Sequence, residues 1–290
     1  MQNKPKQTPN AFTLVEILTT MAIIGILLAV LIPALNEVGK SALIVKQKAQ
    51  FHTIEMGLEA FRTDRGDYPS SAWSTTAYGN YSASQRLAEA MVGRDGLGFH
   101  PESLSRWDGN GLDGGGNPFA LYAPAINTLT PAEKNANFKL RKGPYLELES
   151  ANAVKLDDYT TAYGALLNPA LPSYVLADSF KTAKLTSGRK TGMPILYYKA
   201  NSLYAQHNAA NAATSTYNVF DSVSGILDVM TPKHSLWGSP EWFYTRTTNP
   251  NFTTPGAERP YRAESFILHS AGHDGFYGTS DDVFNFDEGN

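Results

Sequence analysis

The chain has 290 residues, a formal net charge of −3 and no cysteine. The lack of cysteine excludes thiol catalysis, cysteine-bound zinc and disulfide bonds, and the slight negative charge argues against a nucleic-acid partner held by phosphate neutralisation. Hydrophobic residues make up 42% and charged residues 18%, which is typical of a globular protein and not of a disordered one.

The first predicted element is an almost wholly apolar helix over residues 12–35. At about 1.5 Å of rise per residue it is roughly 36 Å long, enough to cross a hydrocarbon core of about 30 Å. Lys4 and Lys6 precede it, and positive charge before an apolar segment keeps that end in the cytoplasm. An uncleaved signal anchor is one interpretation. The helix also contains Glu16, a carboxylate that is costly in lipid without a partner.

Residues 11–16, Ala-Phe-Thr-Leu-Val-Glu, resemble the cleavage and methylation motif of type IV pilins and type II secretion pseudopilins. The resemblance includes the short basic leader, the small residue before an aromatic one, and a long apolar helix with Gly25 and Pro33. It implies cleavage between Ala11 and Phe12 by a prepilin peptidase, followed by N-methylation of Phe12. The motif departs from the family at Ala11, where glycine is usual.

The same resemblance implies a pilin fold of the α+β class, with a long N-terminal helix packed on a small antiparallel β-sheet. The subunit would span the bacterial inner membrane once and place its globular domain in the periplasm. The implied divisions are a leader (1–11), a transmembrane or filament-core helix (12–35), an amphipathic extension (36–66) and the globular domain (67–290). The domain is larger than a compact pseudopilin, so residues 70–140 and 200–260 are interpreted as loop-rich insertions.

Glu16 has an implied role in assembly. In a filament, the amino group of Phe12 on one subunit would meet Glu16 of its neighbour, so that each buried charge gains a partner and the stagger between subunits is fixed. The alternative is a carboxylate that remains at the membrane interface.

Apolar residues continue at three- and four-residue spacing beyond the apolar segment, first over 35–49 and then in a second register. This pattern predicts an amphipathic helix whose later part packs on the domain's own sheet. Gly66 is the predicted C-cap of this helix. The second register consists of Phe51, Ile54, Leu58 and Phe61.

The middle of the chain gives fewer signals. Residues 84–92 predict a helix with Ser82 or Ser84 as N-cap and Gly93 as C-cap. Its one apolar face, Leu87, Ala90 and Met91, is expected to pack on the domain. Residues 94–117 are predicted as a Gly/Asp loop. Its formal G-x-G-x-x-G follows no strand, so we expect a solvated turn there, with a second metal as the alternative. Residues 143–147, 195–199 and 217–221 form candidate strands or buried turns.

A predicted strand at 265–268 leads into a glycine-rich loop, 268–283, that holds Asp274, Asp281 and Asp282. Three glycines allow the chain to fold back tightly. A loop that gathers side-chain and carbonyl oxygens suits Ca²⁺, which takes six to eight such ligands, better than Mg²⁺. The alternative is an acidic turn without an ion.

This loop resembles the calcium loop of major pseudopilins, whose pattern is Ser-x-Gly-x-Asp-Gly followed by a pair of aspartates. The resemblance implies side-chain ligands from Asp274, Asp281 and Asp282, and backbone oxygens from Ala271 and Thr279. The ion would hold the last strand to the domain.

Two histidines, His269 and His273, lie four residues apart near this loop and not on a helix. We therefore interpret them as packing or surface residues and not as zinc ligands.

The predicted function is a structural subunit of a type II secretion pseudopilus or a related type IV filament. Its expected partners are other copies of itself, related pseudopilins, the prepilin peptidase and the inner-membrane assembly platform. The alternative is a pilin-anchored adhesion or binding protein, whose ligand surface would use the four tryptophans of the insertions. The chain has no Gly-x-Ser-x-Gly, His-Glu-x-x-His or P-loop motif, so it is not expected to be an enzyme.

Overall fold

The computed structural model describes residues 13–73, 81–159, 171–208, 211–222, 240–252 and 258–287. The chain divides into two units, Met1–Leu43 and Ile44–Asn290. One long N-terminal helix and several small antiparallel sheets give an α+β fold consistent with the pilin fold, which confirms the predicted fold class.

The helices are α1 (Leu14–Arg65), α2 (Ala83–Val92), α3 (Pro131–Leu140), α4 (Phe220–Ser222) and α5 (Pro240–Thr247). Short 3₁₀ turns occupy Ala125–Thr128, Leu156–Asp158 and Ala212–Thr214. The strands are β1 (Asn110–Leu112), β2 (Pro118–Ala120), β3 (Ala153–Lys155), β4 (Tyr174–Leu176), β5 (Ala183–Lys184), β6 (Lys190–Thr191), β7 (Leu196–Lys199), β8 (Phe266–Ser270) and β9 (Val283–Phe284).

The largest described sheet has three antiparallel strands in the order β7-β8-β9. Leu196 of β7 lies opposite His269 of β8, and Ser270 lies opposite Val283 of β9. The remaining described strands form three antiparallel pairs, β1–β2, β3–β4 and β5–β6. The strands predicted near 195–199 and 265–268 are therefore present and hydrogen-bond to each other. The other two candidates, 143–147 and 217–221, are not strands; the second leads into α4.

Helix α1 is continuous over 52 residues, with Pro33 inside it. The predicted second register is confirmed, because Phe51, Ile54, Leu58 and Phe61 are all buried in the Ile44–Asn290 unit. The helix ends at Arg65, directly before the predicted C-cap Gly66. Gly66 adopts a φ of 84°, and its N–H donates to the carbonyl of Arg62 at 2.7 Å.

Helix α2 is buried along its whole length, including its polar residues. Ser82 caps its first turn in a reciprocal capping box with Gln85, and Gly93 caps its end, as predicted. The sequence indicated only one apolar face. The carboxylate of Glu89 can be buried as well, because the hydroxyls of Tyr81 and Tyr122 donate to it at 2.8 and 2.9 Å.

Residues 94–117, predicted as a loop, contain β1, which pairs with β2 in a small hairpin. The strand was missed because three residues are too few for an alternating pattern to be recognised.

Candidate functional site

The apolar start of α1 is the first candidate site. An 18-residue window of this helix has a mean hydropathy of 2.6, and none of that window is buried in the structure. By length and composition the helix can cross a membrane. Its predicted cleavage residues, Ala11 and Phe12, lie outside the described residues.

Glu16 folds back on the beginning of its own helix. One oxygen of its carboxylate accepts hydrogen bonds from the backbone N–H and the hydroxyl of Thr13, each at 2.8 Å. The N–H of Glu16 in turn donates to the Thr13 hydroxyl at 3.2 Å. This reciprocal pair is a capping box. The Thr-x-x-Glu spacing before an apolar run is the sequence signal for this capping box, and it was overlooked.

The C-terminal loop is the second candidate site and connects β8 to β9. The strand β8 continues to Ser270, so the loop begins at Ala271 and ends at Asp282. The chain turns sharply at Gly272, which has a φ of 67°. A Cβ atom at this position would collide with the carbonyl group of Asp281, so the two ends of the loop approach too closely for any side chain here.

Two of the predicted ligands, Asp274 and Asp281, lie next to each other in this loop. The carboxylate of Asp281 accepts the N–H groups of His273 and Asp274, at 2.6 and 2.9 Å, and the hydroxyl of Thr279 at 2.6 Å. Burial raises the pKa of Asp274, and the neighbouring Asp281 adds to this rise. Burial opposes ionisation of Asp281 too, but the Thr279 hydroxyl and the two N–H groups hold its pKa below the ordinary value.

The third predicted carboxylate, Asp282, turns inward. Its Oδ2 lies 2.6 Å from Nε2 of His269 and accepts the N–H of Gly278 at 2.7 Å. Both side chains of the His269–Asp282 pair are fully buried. His269 also stacks on Phe284, with ring centroids 4.4 Å apart. His269 is thus a packing residue, whereas His273 is exposed.

Sequence reasoning missed one buried carboxyl group beside the loop. Asp178 accepts the hydroxyl of Ser270 at 2.8 Å and the N–H groups of Phe180 and Met193, each at 3.1 Å. Burial raises the pKa of Asp178 to about 6, although these hydrogen bonds act in the opposite direction. Asp178 therefore ties the end of β8 to the 178–193 segment. Because Asp178 and Ser270 are 92 positions apart, no local sequence pattern predicts their contact.

Among the described residues, no group of three or more His, Cys, Asp or Glu side chains is placed to hold a metal ion. The loop brings Asp274 and Asp281 together, while the Asp282 carboxylate is engaged by His269. A cation here would therefore need further oxygen ligands from the backbone, and the predicted ones are the carbonyls of Ala271 and Thr279.

A family model described as the prokaryotic N-terminal methylation motif matches residues 9–32. The chain carries a prepilin signal of the type IV pilin kind. This motif marks proteins that a prepilin peptidase processes, and the matched residues include Glu16 and the apolar start of α1. The chain matches no curated protein and no solved structure.

Proposed function

We propose that this protein is a structural subunit of a type II secretion pseudopilus or a related type IV filament. It is cleaved between Ala11 and Phe12 and polymerises through α1. The observation that carries this proposal is the methylation motif at the head of a 52-residue helix. From Leu14 to Val38 its large apolar side chains keep 47% to 79% of their surface exposed. Such a surface needs lipid before assembly and other helices after it.

The capping contact of Glu16 supports an assembly role. In the isolated subunit, Thr13 supplies both hydrogen bonds to the carboxylate, which offsets part of the cost of placing a charge in lipid. Cleavage after Ala11 would leave Thr13 as the second residue, directly beside the new amino group. In the filament, Glu16 would gain as its partner the same amino group of a neighbouring subunit.

Calcium in the C-terminal loop belongs to the same proposal. Asp274 and Asp281 would supply side-chain oxygens, with carbonyl oxygens of Ala271 and Thr279. Asp282 would contribute least, because His269 and Gly278 hold its Oδ2. The ion would neutralise the repulsion between the adjacent carboxylates of Asp274 and Asp281 and so hold the loop against β8 and β9.

The experiment compares Glu16→Leu with Glu37→Leu in the native host. Both remove a carboxylate from α1, but Glu37 lies beyond the matched motif and pairs with Lys40. Glu16→Leu is expected to abolish filament incorporation, while Glu37→Leu assembles normally. Mass spectrometry of the filament subunit should show an N-terminus at Phe12 that carries one methyl group. A subunit that still begins at Met1, or equal assembly of both variants, would contradict the proposal.

The alternative function, a pilin-anchored binding protein, gains no support from two of its four tryptophans. Trp73 and Trp242 pack against the hydrophobic core. Trp242 also stacks on His269, with ring centroids 6.1 Å apart. Trp237 lies outside the described residues. Normal assembly of Glu16→Leu with altered surface attachment would favour this alternative.

A further inference from the structure

A concave, positively charged surface lies beside the domain part of α1. It has a volume of about 540 Å³ and is bordered by α1, the 149–152 turn, the 178–181 segment and the 189–192 segment that contains β6. We call it the basic groove. Its four cationic side chains are all exposed, and they are Lys46, Lys181, Arg189 and Lys190.

These cations are not neutralised within the subunit. In the part of the chain that the structure describes, none of the four forms an ion pair with a carboxylate. Glu149 is the one exposed carboxylate that lines the groove. The other acidic residue, Asp178, is buried and holds its hydrogen bonds inward. The groove therefore presents an excess of positive charge to solvent.

The rest of the chain has the opposite sign. The whole chain carries −3 and the groove residues carry four cations and two carboxylates, a net +2, so the residues outside the groove carry −5. The groove is thus complementary to the remaining surface of an identical subunit. A basic groove cannot pair with another basic groove, so such a contact would be head-to-tail, and head-to-tail contacts build open filaments when the rotation does not close a ring.

We infer that the basic groove binds the acidic surface of a second copy of this chain in the assembled filament. This inference rests on the proposed filament function. Single-stranded nucleic acid fits the groove less well, because binding of that kind uses aromatic side chains as stacking platforms and none lines the groove. The groove also exposes the hydroxyl of Ser150, which can donate a hydrogen bond to a carboxylate of a protein surface, whereas the amide groups of Gln50 and Asn152 donate to backbone carbonyls within the subunit.

The test places a photo-crosslinking amino acid at Ser150, an exposed, uncharged residue of the groove, in the full chain expressed in the native host. In filaments, irradiation should give a covalent dimer of this chain. The groove variant Lys181→Gln/Arg189→Gln/Lys190→Gln should reduce that dimer roughly tenfold, as expected for the loss of three surface ion pairs. Raising the salt concentration should reduce the dimer in the wild type and have little effect in the groove variant.

The matched control is Lys134→Gln/Lys139→Gln/Lys142→Gln, which removes the same charge from residues that do not line the groove. It should crosslink as the wild type does. Thermal melting of both triple variants checks that each is folded. If filaments form but Ser150 crosslinks to no second copy, or only to nucleic acid or another protein, the inference is wrong while the filament function stands. If no filament contains the wild-type chain, the proposed function itself fails.

Discussion

Nε2 of His269 lies 2.6 Å from Oδ2 of Asp282, and both side chains are fully buried between β8 and β9. We expect His269→Phe to lower the free energy of unfolding by about 3 kcal/mol, because it keeps the ring but leaves a buried carboxylate without its main partner. Urea unfolding of the detergent-solubilised chain measures the change. His273→Phe, at an exposed histidine of the same loop, should be nearly neutral. Equal stability of the two variants would contradict the structural role of the pair.

The adjacent carboxylates of Asp274 and Asp281 give a prediction on calcium. Calcium at about a hundred times its dissociation constant should stabilise the chain by roughly 2.7 kcal/mol, and EGTA should remove that gain. Asp281→Asn should lose most of the calcium-dependent shift in melting temperature. Asp158→Asn removes an exposed aspartate outside the loop and should keep it. A wild-type melting temperature that does not respond to calcium would reject the calcium site.

Asp221 gives a prediction on pH. Burial raises its pKa to about 6, although the hydroxyl of Ser71 and the N–H of Trp73 favour its ionised form. Between about pH 4 and pH 6 the folded chain therefore keeps a proton on Asp221 that the unfolded chain has released. The free energy of unfolding consequently falls as the pH rises through this range. Asp221→Asn removes the effect. The free energy of unfolding of Asp221→Asn, relative to that of the wild type, should rise by about 3 kcal/mol from pH 4 to pH 7.

Urea titrations of both chains at several pH values measure this difference. Ser71→Ala, which removes only the hydroxyl donor to the Asp221 carboxylate, should keep a pH dependence of the same sign as the wild type. A constant difference between Asp221→Asn and the wild type over this pH range would show that Asp221 ionises normally.

Two glycines of α1 form a matched pair for a packing test. A Cβ at Gly57 would lie 2.9 Å from the sulfur of Met91 and 3.2 Å from Leu146, whereas nothing lies within 4 Å of a Cβ at Gly39. Gly57→Leu should therefore cost about 1–3 kcal/mol through overpacking. Gly39→Leu should be neutral or stabilise by up to roughly 1 kcal/mol, because the site is open and glycine disfavours a helix interior. Unfolding by urea compares them, and equal effects would mean that α1 and α2 do not meet at Gly57.

Local sequence patterns predicted much of the architecture. The 3.6-residue spacing of Phe51, Ile54, Leu58 and Phe61 predicted which face of α1 is buried, and the capping residues Ser82 and Gly66 predicted helix ends. These features follow from short stretches of sequence, because helix periodicity and capping involve residues a few positions apart. The same holds for the methylation motif at residues 9–32.

Other features depend on contacts between distant segments. The hydrogen bond from Ser270 to Asp178 joins residues 92 positions apart, and the one from Ser179 to Gln47 joins residues 132 apart. No local pattern encodes such pairs, because they exist only once the strands and α1 have packed. The inward turn of Asp282 toward His269 belongs to this class, although its residues are only 13 positions apart.

The sequence by itself determined the prepilin signal, the membrane-length helix and the acidic glycine-rich loop, because each is a property of consecutive residues. Tertiary structure alone decided that Asp274 and Asp281 share one side of that loop while Asp282 faces the core. It also gathered Lys46 with Lys181, Arg189 and Lys190 in one groove. The physical reason is that side-chain charges interact through space, and only packing brings charges from distant parts of the chain within a few ångströms of each other.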